Sequence, residues 1–504
     1  MDRQYLIGMD AGTTSIKGML VGLDGHPGTV VQKEYSLNYI GRQMVELDPA
    51  IYWDATVRII RQLLSESGIP PQQVRALAFS SQGETLINVD RNGEPLRNAI
   101  IWMDNRSVRE AKEIEESFGR QAVLEKTGQP EIIPMWPATK ILWLRNNEPH
   151  IFQQTGKFLL VEDYLVSCLT GQYNTVESMA SSTLYFDIIK KEWWQGMLEY
   201  LQISPDQLPR VVPSGTPAGK VSREAAEITG LSTDSLVVAG SYDHPAGAIG
   251  AGNIHEGTIS ETTGTAMAMC VTLDKPVLDP SLNLPCQCHA VPGKYLLLPY
   301  GQTAGLVLKW FRDVFCAEEK LEAEKSGKKV YDVITGLAQA VPAGAGGLVM
   351  LPHLMGAGPP EFDVHIKGVF AGITPEMKKG HFVRAILEAI ASMINRNLET
   401  LTSHNIPVNE IRAIGGGAES DLWNQIKADL TGVPYITTQS AETACLGAAI
   451  LAGVGSGLIP GIEDGCRKLV KQKKAFMPDQ DNHEAYQKVY DRYVKLYDRM
   501  KGYW

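Results

Sequence analysis

The sequence is poor in cysteine and lacks the paired cysteine and histidine spacing that binds zinc. Seven cysteines are scattered over 504 residues, and this low, odd number favours a reducing cytoplasm over a disulfide framework. The segment Cys286-Gln287-Cys288-His289 is the one candidate metal cluster. No second Cys/His pair follows it at zinc-ribbon spacing, so we interpret its cysteines as buried or half-buried thiols.

Long apolar runs are also missing. Residues 1–10 contain no apolar segment of the length found in secretion signals. The longest uncharged stretch, 443–462, holds five glycines and Pro460, and the acidic residues Glu442, Glu463 and Asp464 flank it. These features predict a closely packed helix followed by a loop and disfavour a membrane span.

The sequence has no excess of basic residues. Its net charge of −10 disfavours nucleic acid or an anionic membrane surface as the main partner, because both require a basic face. Charged residues make up 21% of the chain and hydrophobic residues 44%, which is typical of a soluble globular protein. At 504 residues the chain exceeds what one hydrophobic core usually covers, so we expect two domains.

The segment that begins at residue 236 carries the most informative carboxylate. The apolar run 236–239 predicts a buried strand that ends at Gly240, and Asp243 follows just before a run of small residues, 246–252. Small residues allow close approach by another helix or a ligand. A carboxylate in this position serves in proteins as a general base, a metal-shell ligand or a helix N-cap, and the residues alone leave these three open.

Two turns rich in threonine and glycine are candidate phosphate sites. The pattern over 4–23 predicts a hairpin whose turn, 10–18, contains glycine, hydroxyl groups and an ammonium, all suited to a polyphosphate. Asp10 is suited to a hydrated Mg²⁺, although a plain polar β-turn would look similar. The glycine spacing is not that of a Walker A loop. Residues 257–269 predict a second hairpin whose turn repeats this pattern half a chain later, so we interpret the two as an internal repeat, with two unrelated turns as the alternative.

Other polar and glycine-rich segments follow predicted strands. Gln82, Glu84, Asp104 and Arg106 lie at strand ends and suit either a polyhydroxy ligand or a set of surface salt bridges. Three successive glycines, 415–417, stand between a predicted strand and a predicted helix, where a flat ring or a phosphate can lie against the backbone. Residues 483–497 carry an apolar stripe that predicts a terminal packing helix.

Two longer motifs give the chain a resemblance to a known family. One is Met135-x-Pro137-x-x-Lys140-Ile141-x-Trp143-Leu144-x-Asn146-Asn147. The other is Gly368-x-Phe370-x-Gly372-Ile373, followed seven residues later by His381-Phe382-x-x-Ala385-Ile386-Leu387-Glu388. With the preceding pieces in this order, the whole chain resembles the FGGY family of carbohydrate kinases, in the actin/hexokinase/Hsp70 ATPase superfamily.

The resemblance implies an α/β fold with two ribonuclease-H-like domains and a catalytic cleft between them. We expect an N-terminal domain over 1–245, with the sugar site and the first phosphate hairpin, and a C-terminal domain over 246–504, with the nucleotide site. The implied donor is ATP with Mg²⁺, and the implied acceptor is a hydroxyl of a small sugar or polyol. The resemblance is silent on the assembly, and a homodimer is left open.

The resemblance also implies roles for individual residues. Asp243 is similar to the family's catalytic base, and Asp10 to the acidic residue that holds the metal through water. The implied nucleotide contacts are Gly12, Thr13, Thr14 and Lys17 in the first hairpin, Gly264 and Thr265 in the second, and Gly305, Lys309, Gly417 and Asp421 beyond it. The implied acceptor contacts are Gln82, Gly83, Glu84, Asp104 and Met135, together with Asp243.

The acceptor itself is left open. Glycerol kinases carry Gln-Arg-Glu-Thr where this chain has Gln82-Gly83-Glu84-Thr85, and xylulokinases and autoinducer-2 kinases differ here as well. The missing arginine and the presence of Met135 predict more room than glycerol needs. We therefore expect a four- to six-carbon ketose or polyol, such as xylulose. Glycerol or a small signalling diol is the alternative within the class, and a non-catalytic sugar sensor or a chaperone-type ATPase is the alternative outside it.

Overall fold

The computed structural model describes residues 4–24 and 27–504. The strands of the first half are β1 (Tyr5–Ala11), β2 (Ser15–Gly22), β3 (Pro27–Glu34), β4 (Asn38–Ile40), β5 (Met44–Leu47), β6 (Val74–Ser81), β7 (Ile87–Val89), β8 (Ala99–Ile100), β9 (Lys157–Leu159), β10 (Asn174–Val176), β11 (Phe186–Asp187), β12 (Glu192–Trp193), β13 (Arg210–Val212), β14 (Pro217–Lys220) and β15 (Leu236–Tyr242). Its helices are α1 (Pro49–Ser67), α2 (Val108–Phe118), α3 (Arg120–Thr127), α4 (Pro137–Asn147), α5 (Pro149–Gln154), α6 (Val161–Thr170), α7 (Glu177–Ala180), α8 (Gln195–Leu201), α9 (Arg223–Thr229) and α10 (Asp243–Ala251).

The second half also contains both strands and helices. Its strands are β16 (Thr258–Thr263), β17 (Met267–Leu273), β18 (Cys286–Cys288), β19 (Tyr295–Leu297), β20 (Tyr300–Gly301), β21 (Val349–Leu351), β22 (Val369–Ala371), β23 (Glu410–Ile414), β24 (Tyr435–Thr438) and β25 (Gln472–Phe476). Its helices are α11 (Gly305–Phe315), α12 (Ala317–Ser326), α13 (Val330–Gln339), α14 (Lys379–Ser403), α15 (Asp421–Thr431), α16 (Thr443–Gly455), α17 (Ile462–Leu469) and α18 (Gln480–Met500).

Two large sheets have the same topology. The first has the order β14-β15-β6-β1-β2-β3, with β1, β2 and β3 antiparallel and with β6 and β15 parallel to β1. The second has the order β18-β19-β17-β16-β23-β24-β25, with β23 and β24 parallel to β16. Each sheet therefore starts with an antiparallel hairpin that is extended by parallel strands. This repeated arrangement confirms the predicted two-domain α/β fold, while the boundary at residue 245 stays a prediction.

Strand β15 of the first sheet extends further than the sequence predicts. It was expected to end at Gly240, but it continues to Tyr242 after an irregularity in its pairing with β6. A Cβ atom on Gly240 would lie 1.8 Å from the carbonyl oxygen of Phe79, so only glycine allows this approach of the two strands. Helix α10 then begins directly at Asp243.

The helices α10 and α16 pack closely between the two sheets. A Cβ atom on Gly250 would lie 1.8 Å from the carbonyl oxygen of Thr443, and one on Gly447 would lie 1.9 Å from that of Ala246. Helix α16 also lies on the first sheet, where a Cβ on Gly8 would meet the carbonyl oxygen of Cys445 at 1.8 Å. The predicted tightly packed helix in 443–462 is thereby confirmed, and none of the helices described is long and apolar enough to cross a membrane.

The C-terminal helix α18 packs through one tyrosine-rich side. Tyr486, Tyr490, Tyr493 and Tyr497 are buried, whereas the charged residues between them are mostly exposed. Tyr490, Tyr493 and Tyr497 form one apolar cluster with Leu351. The predicted terminal packing helix is confirmed.

Candidate active site

Two cavities lie beside the predicted site residues. The larger has a volume of about 590 Å³ and is called here the interdomain cavity. Residues from both halves of the chain line it: Thr13, Gln82, Gly83, Glu84, Trp102, Pro130, Glu131, Ile133, Met135, Trp136, Tyr242, Asp243, His244, Ala266, Met267, Ala268, Met269, Asn283, Pro285, Gln287, Leu298, Pro299, Tyr300, Gln302, Met355 and Phe362. The smaller, called the glycine-lined cavity, has a volume of about 300 Å³ and is lined by Thr263, Gly264, Thr265, Gly305, Leu306, Leu308, Lys309, Lys329, Tyr331, Asp332, Thr335, Gly416, Gly417, Glu419, Ser420 and Trp423. Thr263, Gly264 and Thr265 of the second hairpin line the smaller cavity, and Ala266 and Met267 line the larger.

Asp243 lines the interdomain cavity with a carboxylate oxygen that makes no hydrogen bond within the described ranges. Its Oδ1 is buried and has no hydrogen-bond partner among the residues that the structure describes. Burial raises the pKa of Asp243, and the neighbouring His244 opposes that rise. The N-cap position of α10 belongs to Tyr242, so Asp243 is the first helical residue. This leaves a carboxylate that can accept a proton inside the cavity.

His244 lies next to Asp243 and was not selected from the sequence. Its Nε2 is 4.0 Å from Asp243 Oδ1, and its ring contacts the Tyr242 ring edge to face at 5.1 Å. Burial lowers the pKa of His244, but the Asp243 carboxylate, a hydrogen bond with Cys270 and the Glu84 charge outweigh it and raise the pKa to about 10. A histidine in the first turn of a helix gives no sequence signal of this kind, because the effect depends on which groups surround it.

Glu84 also lines the interdomain cavity, in a strained backbone conformation. Its φ is +58°, a left-handed value that few residues with a side chain adopt. The buried ammonium of Lys140 donates a hydrogen bond of 2.7 Å to the Glu84 carbonyl oxygen. Burial and the charge of Asp243 raise the pKa of Glu84, and burial lowers the pKa of Lys140.

Gln82 is held in place by its neighbours. Its Nε2 donates to Tyr52 Oη at 2.9 Å and to the Gly12 carbonyl oxygen at 3.2 Å, and its Oε1 accepts a hydrogen bond from Thr85. Gln82 therefore joins the first hairpin to the end of β6 while lining the interdomain cavity.

The prediction of extra room at Gly83 needs correction. A Cβ atom there would lie 2.8 Å from the Tyr242 ring and 2.9 Å from Ser182 Oγ. The space that an arginine would require is thus filled by Tyr242 and Ser182. Met135 does line the cavity as predicted.

Asp104 lines neither cavity, and its predicted contact with the acceptor stays a prediction. Its side chain is fully buried, with both carboxylate oxygens accepting hydrogen bonds from Arg106 and with Oδ2 also accepting one from the backbone of Val45. Arg106 also pairs with Glu46 at 2.8 Å. For Asp104 and Arg106, the salt-bridge alternative describes the structure, although the pairs are buried.

The first hairpin turn is shorter than predicted, spanning 12–14 between β1 and β2. Asp10 and Lys17 therefore lie in the strands, opposite each other in register. Burial raises the pKa of Asp10 to about 6; a hydrogen bond of 2.6 Å from Ser80 opposes this, and the charge of Asp243 adds to it. Thr14 is exposed at the tip.

Lys17 and Thr13 each have a protein partner. The Lys17 ammonium lies 2.7 Å from the Glu442 carboxylate, at the start of α16, and Lys17 lines neither cavity. Thr13 Oγ1 accepts a hydrogen bond of 2.9 Å from the Trp102 indole. Only Thr13 of these two lines the interdomain cavity.

The glycine-lined cavity is formed where side chains are missing. A Cβ on Gly305 would lie 2.4 Å from the Gly264 carbonyl oxygen, and one on Gly417 would lie 2.6 Å from Thr263 Cβ. Lys309 is exposed at its rim. Asp421, predicted in the nucleotide site, is not part of this lining and forms an ion pair with Lys474. Lys329 and Tyr331, which do line the cavity, were not selected from the sequence.

These groups fit the cofactor and cation that the resemblance implies. The glycine-lined cavity presents backbone groups of its glycines and the side chains of Lys309 and Lys329, and such groups suit a nucleotide with its phosphates. The raised pKa of Asp10 and the proximity of a second carboxylate, Asp243, mean that a divalent cation would relieve unfavourable charge there. Asp10 is the residue that would hold Mg²⁺ through its water shell.

Comparison with known proteins agrees with this arrangement. The model of the FGGY family of carbohydrate kinases, N-terminal domain, matches residues 5–250, and that of the C-terminal domain matches residues 260–456. The chain is 32% identical to the xylulose kinase of Staphylococcus epidermidis, over 99% of this chain and 98% of that protein. It is 31% identical to the autoinducer-2 kinase of Yersinia enterocolitica, over 98% and 94%. The ligand-bound xylulose kinase of Lactobacillus acidophilus superimposes with a TM-score of 0.89 at 28% identity, over 99% of both chains.

Proposed function

Because the chain belongs to the FGGY family of carbohydrate kinases, we propose that it transfers the γ-phosphoryl group of ATP to a terminal hydroxyl of a four- to six-carbon ketose or polyol. Xylulose is the acceptor we consider first. The observation that carries the proposal is the buried Oδ1 of Asp243, which makes no hydrogen bond to the described residues, in a cavity that polar groups of both halves of the chain line.

Asp243 acts as the general base in this proposal. The acceptor oxygen attacks the γ-phosphorus, the bond from that phosphorus to the ADP oxygen breaks, and Asp243 accepts the hydroxyl proton. Phosphoryl transfer needs little covalent assistance, so positioning and charge stabilisation account for most of the catalysis. A base within hydrogen-bond reach contributes about 10²- to 10⁴-fold.

The donor site combines both hairpins. The glycine-lined cavity, with Gly264, Gly305, Gly417 and Lys309, receives the nucleotide, and Gly12, Thr13 and Thr14 approach the phosphates from the other half of the chain. Mg²⁺, when bound, would neutralise charge on the phosphates. Asp10 holds the water shell of that cation in this proposal. In this division of roles, residues 1–245 provide most of the acceptor site and the first phosphate hairpin, and residues 246–504 provide most of the nucleotide site.

The size and the lining of the interdomain cavity support an acceptor larger than glycerol. Its volume of about 590 Å³ lies within the range of small-molecule sites. Its lining combines the polar side chains of Gln82, Glu84 and His244 with apolar ones, among them Ile133, Met135 and Phe362. The similarity to an autoinducer-2 kinase supports a small signalling diol as the second candidate.

The experiment is ADP release from Mg·ATP with a panel of acceptors. The panel contains ketopentoses, linear polyols, gluconate, glycerol and a small diol, and the Asp243→Asn variant is the matched control. We expect one ketose or polyol to stimulate release far more than the others and Asp243→Asn to abolish that stimulation. ATP binding without stimulation by any acceptor would contradict the proposal and favour a sugar sensor.

A further inference from the structure

Gln287 has an amide group with no partner inside the protein. The residue is 2% exposed and lines the interdomain cavity. Its Oε1 is buried without a hydrogen-bond partner, and its Nε2 donates no hydrogen bond to any residue in the described ranges. Oε1 is therefore the unsatisfied buried atom of this side chain in the orientation that the structure gives the amide.

The strand register places this amide on the side of the second sheet that faces α10. Gln287 of β18 pairs with Leu296 of β19, and Leu296 pairs with Thr272 of β17, so the three side chains share one face. Leu296 also packs with Ala248 of α10, the helix that begins at Asp243. Gln287 therefore lies at the edge of the surface that supports the base.

An unpaired buried amide is costly, and proteins retain few of them. Leaving a buried donor or acceptor unsatisfied costs about 1–3 kcal/mol, so an amide kept in this state next to a cavity indicates a missing partner. Two other polar side chains of the cavity do have partners or neighbouring charges: Gln82 donates a hydrogen bond to Tyr52, and the charge of Lys140 lowers the pKa of Glu84 against the effect of burial.

We propose that Gln287 binds the acceptor directly, through a hydroxyl or carbonyl group other than the hydroxyl that is phosphorylated. This inference rests on the proposed function and deepens it. An amide donates and accepts without carrying charge, so it selects a neutral polyhydroxy or keto compound. It also comes from the second half of the chain, whereas Gln82 and Glu84 come from the first, so the bound acceptor would contact both halves.

The test is the Gln287→Leu variant, which keeps most of the side-chain volume and removes the amide. With the acceptor identified by the panel, KM for that acceptor should rise about three- to tenfold, the range of one lost neutral hydrogen bond. KM for ATP should stay unchanged. The melting temperature without acceptor should be unchanged or higher, because the amide stabilises nothing in the free protein.

Cys286→Ala is the matched control, since Cys286 is buried in the same strand and its side chain points to the other face. This variant should have a lower melting temperature, because the substitution leaves a void in the core, and an unchanged KM for the acceptor. An analogue of the acceptor that lacks the bound hydroxyl should serve the parent and Gln287→Leu equally well.

Two outcomes would overturn this inference and leave the proposed function standing. In the first, the parent is active and Gln287→Leu has the same KM for the acceptor. In the second, Gln287→Leu has a clearly lower melting temperature than the parent, which would reveal a structural role for the amide. A parent that is inactive with the whole panel would instead overturn the proposed function, and this inference with it.

Discussion

The ammonium of Lys140 donates a hydrogen bond of 2.7 Å to the carbonyl oxygen of Glu84, a residue whose φ is +58°. A left-handed conformation costs a residue with a side chain on the order of 1–3 kcal/mol, and it persists only where the surroundings fix it. Lys140 lies in α4 and is fully buried. This bond therefore holds the strand end that brings the Glu84 carboxyl to the cavity.

We predict that Lys140→Met lowers kcat/KM for the acceptor about 10- to 100-fold, because Glu84 loses the contact that fixes its backbone. KM for ATP should change little. The double variant Lys140→Met/Glu84→Gly is the control: if Lys140 acts through Glu84, it should be no worse than Glu84→Gly alone. Fully multiplicative losses would show that the lysine acts by another route.

The second prediction concerns the base. Asp243→Asn should lower kcat about 10²- to 10⁴-fold while ATP binding is retained, because an amide cannot accept the proton. In the parent, burial raises the pKa of Asp243, so the acid limb of the kcat/KM profile should lie above pH 3.9, the ordinary value for aspartate. Steady-state ADP release between pH 4 and 8 measures both.

His244 gives this prediction a sharper form. The charge of His244 opposes the rise in the pKa of Asp243, and its own pKa of about 10 keeps it charged at neutral pH. His244→Gln should therefore move the acid limb to higher pH. A limb that stays in place or moves to lower pH would contradict the assignment of that limb to Asp243.

Features that depend on neighbours in the chain could be predicted from the sequence. Both threonine-rich hairpins formed, because glycine and the alternation of apolar residues around them are local signals. Asp243 was located for the same reason, as a carboxylate that directly follows a buried strand.

Features that depend on distant contacts could not be predicted. The room expected at Gly83 is filled by Tyr242, and the Asp104 carboxylate accepts hydrogen bonds from Arg106 and from the backbone N–H of Val45. Gln287 stands in a three-residue strand between two cysteines, and only the register of three strands brings it to the cavity. None of these pairings has a signature in a single sequence.

The third prediction concerns how the free energy of unfolding depends on pH. Burial raises the pKa of Asp10 from 3.8 to about 6. A folded-state pKa above the unfolded value means that stability is fully present below pH 3.8 and is lost as the pH rises through 6. At pH 7–8 without divalent cations, Asp10→Asn should be more stable than the parent by about 3 kcal/mol, and near pH 4 the two should differ little.

The same pair of proteins tests the cation site. Asparagine can still accept the hydrogen bond from Ser80, so the variant should remain folded. Adding Mg²⁺ at pH 7.5 should raise the melting temperature of the parent and much less that of Asp10→Asn. Equal responses of the two proteins would argue against a cation at Asp10.

The fourth prediction concerns the contact between α10 and α16. A Cβ atom on Gly250 would lie 1.8 Å from the backbone oxygen of Thr443, which cannot rotate away as a flexible side chain can. Gly250→Ala should therefore destabilise the protein by about 1–3 kcal/mol. Gly336 in α13 is the matched control, because a Cβ there would have no neighbour within 4 Å; Gly336→Ala should stabilise by about 0.5–1 kcal/mol.

Gly250→Ala should also lower the catalytic rate. Helix α10 begins at Asp243, so we expect a shift of the helix as a rigid unit at Gly250 to displace the base. A displacement of about 1 Å at a reacting group costs on the order of 100-fold, so we expect Gly250→Ala to lower kcat at least tenfold under conditions where it is fully folded. Gly336→Ala should leave kcat unchanged. Melting curves and ADP release on the same preparations separate the two effects. If Gly250→Ala matched Gly336→Ala in both, the two helices would not need their close contact to position the base.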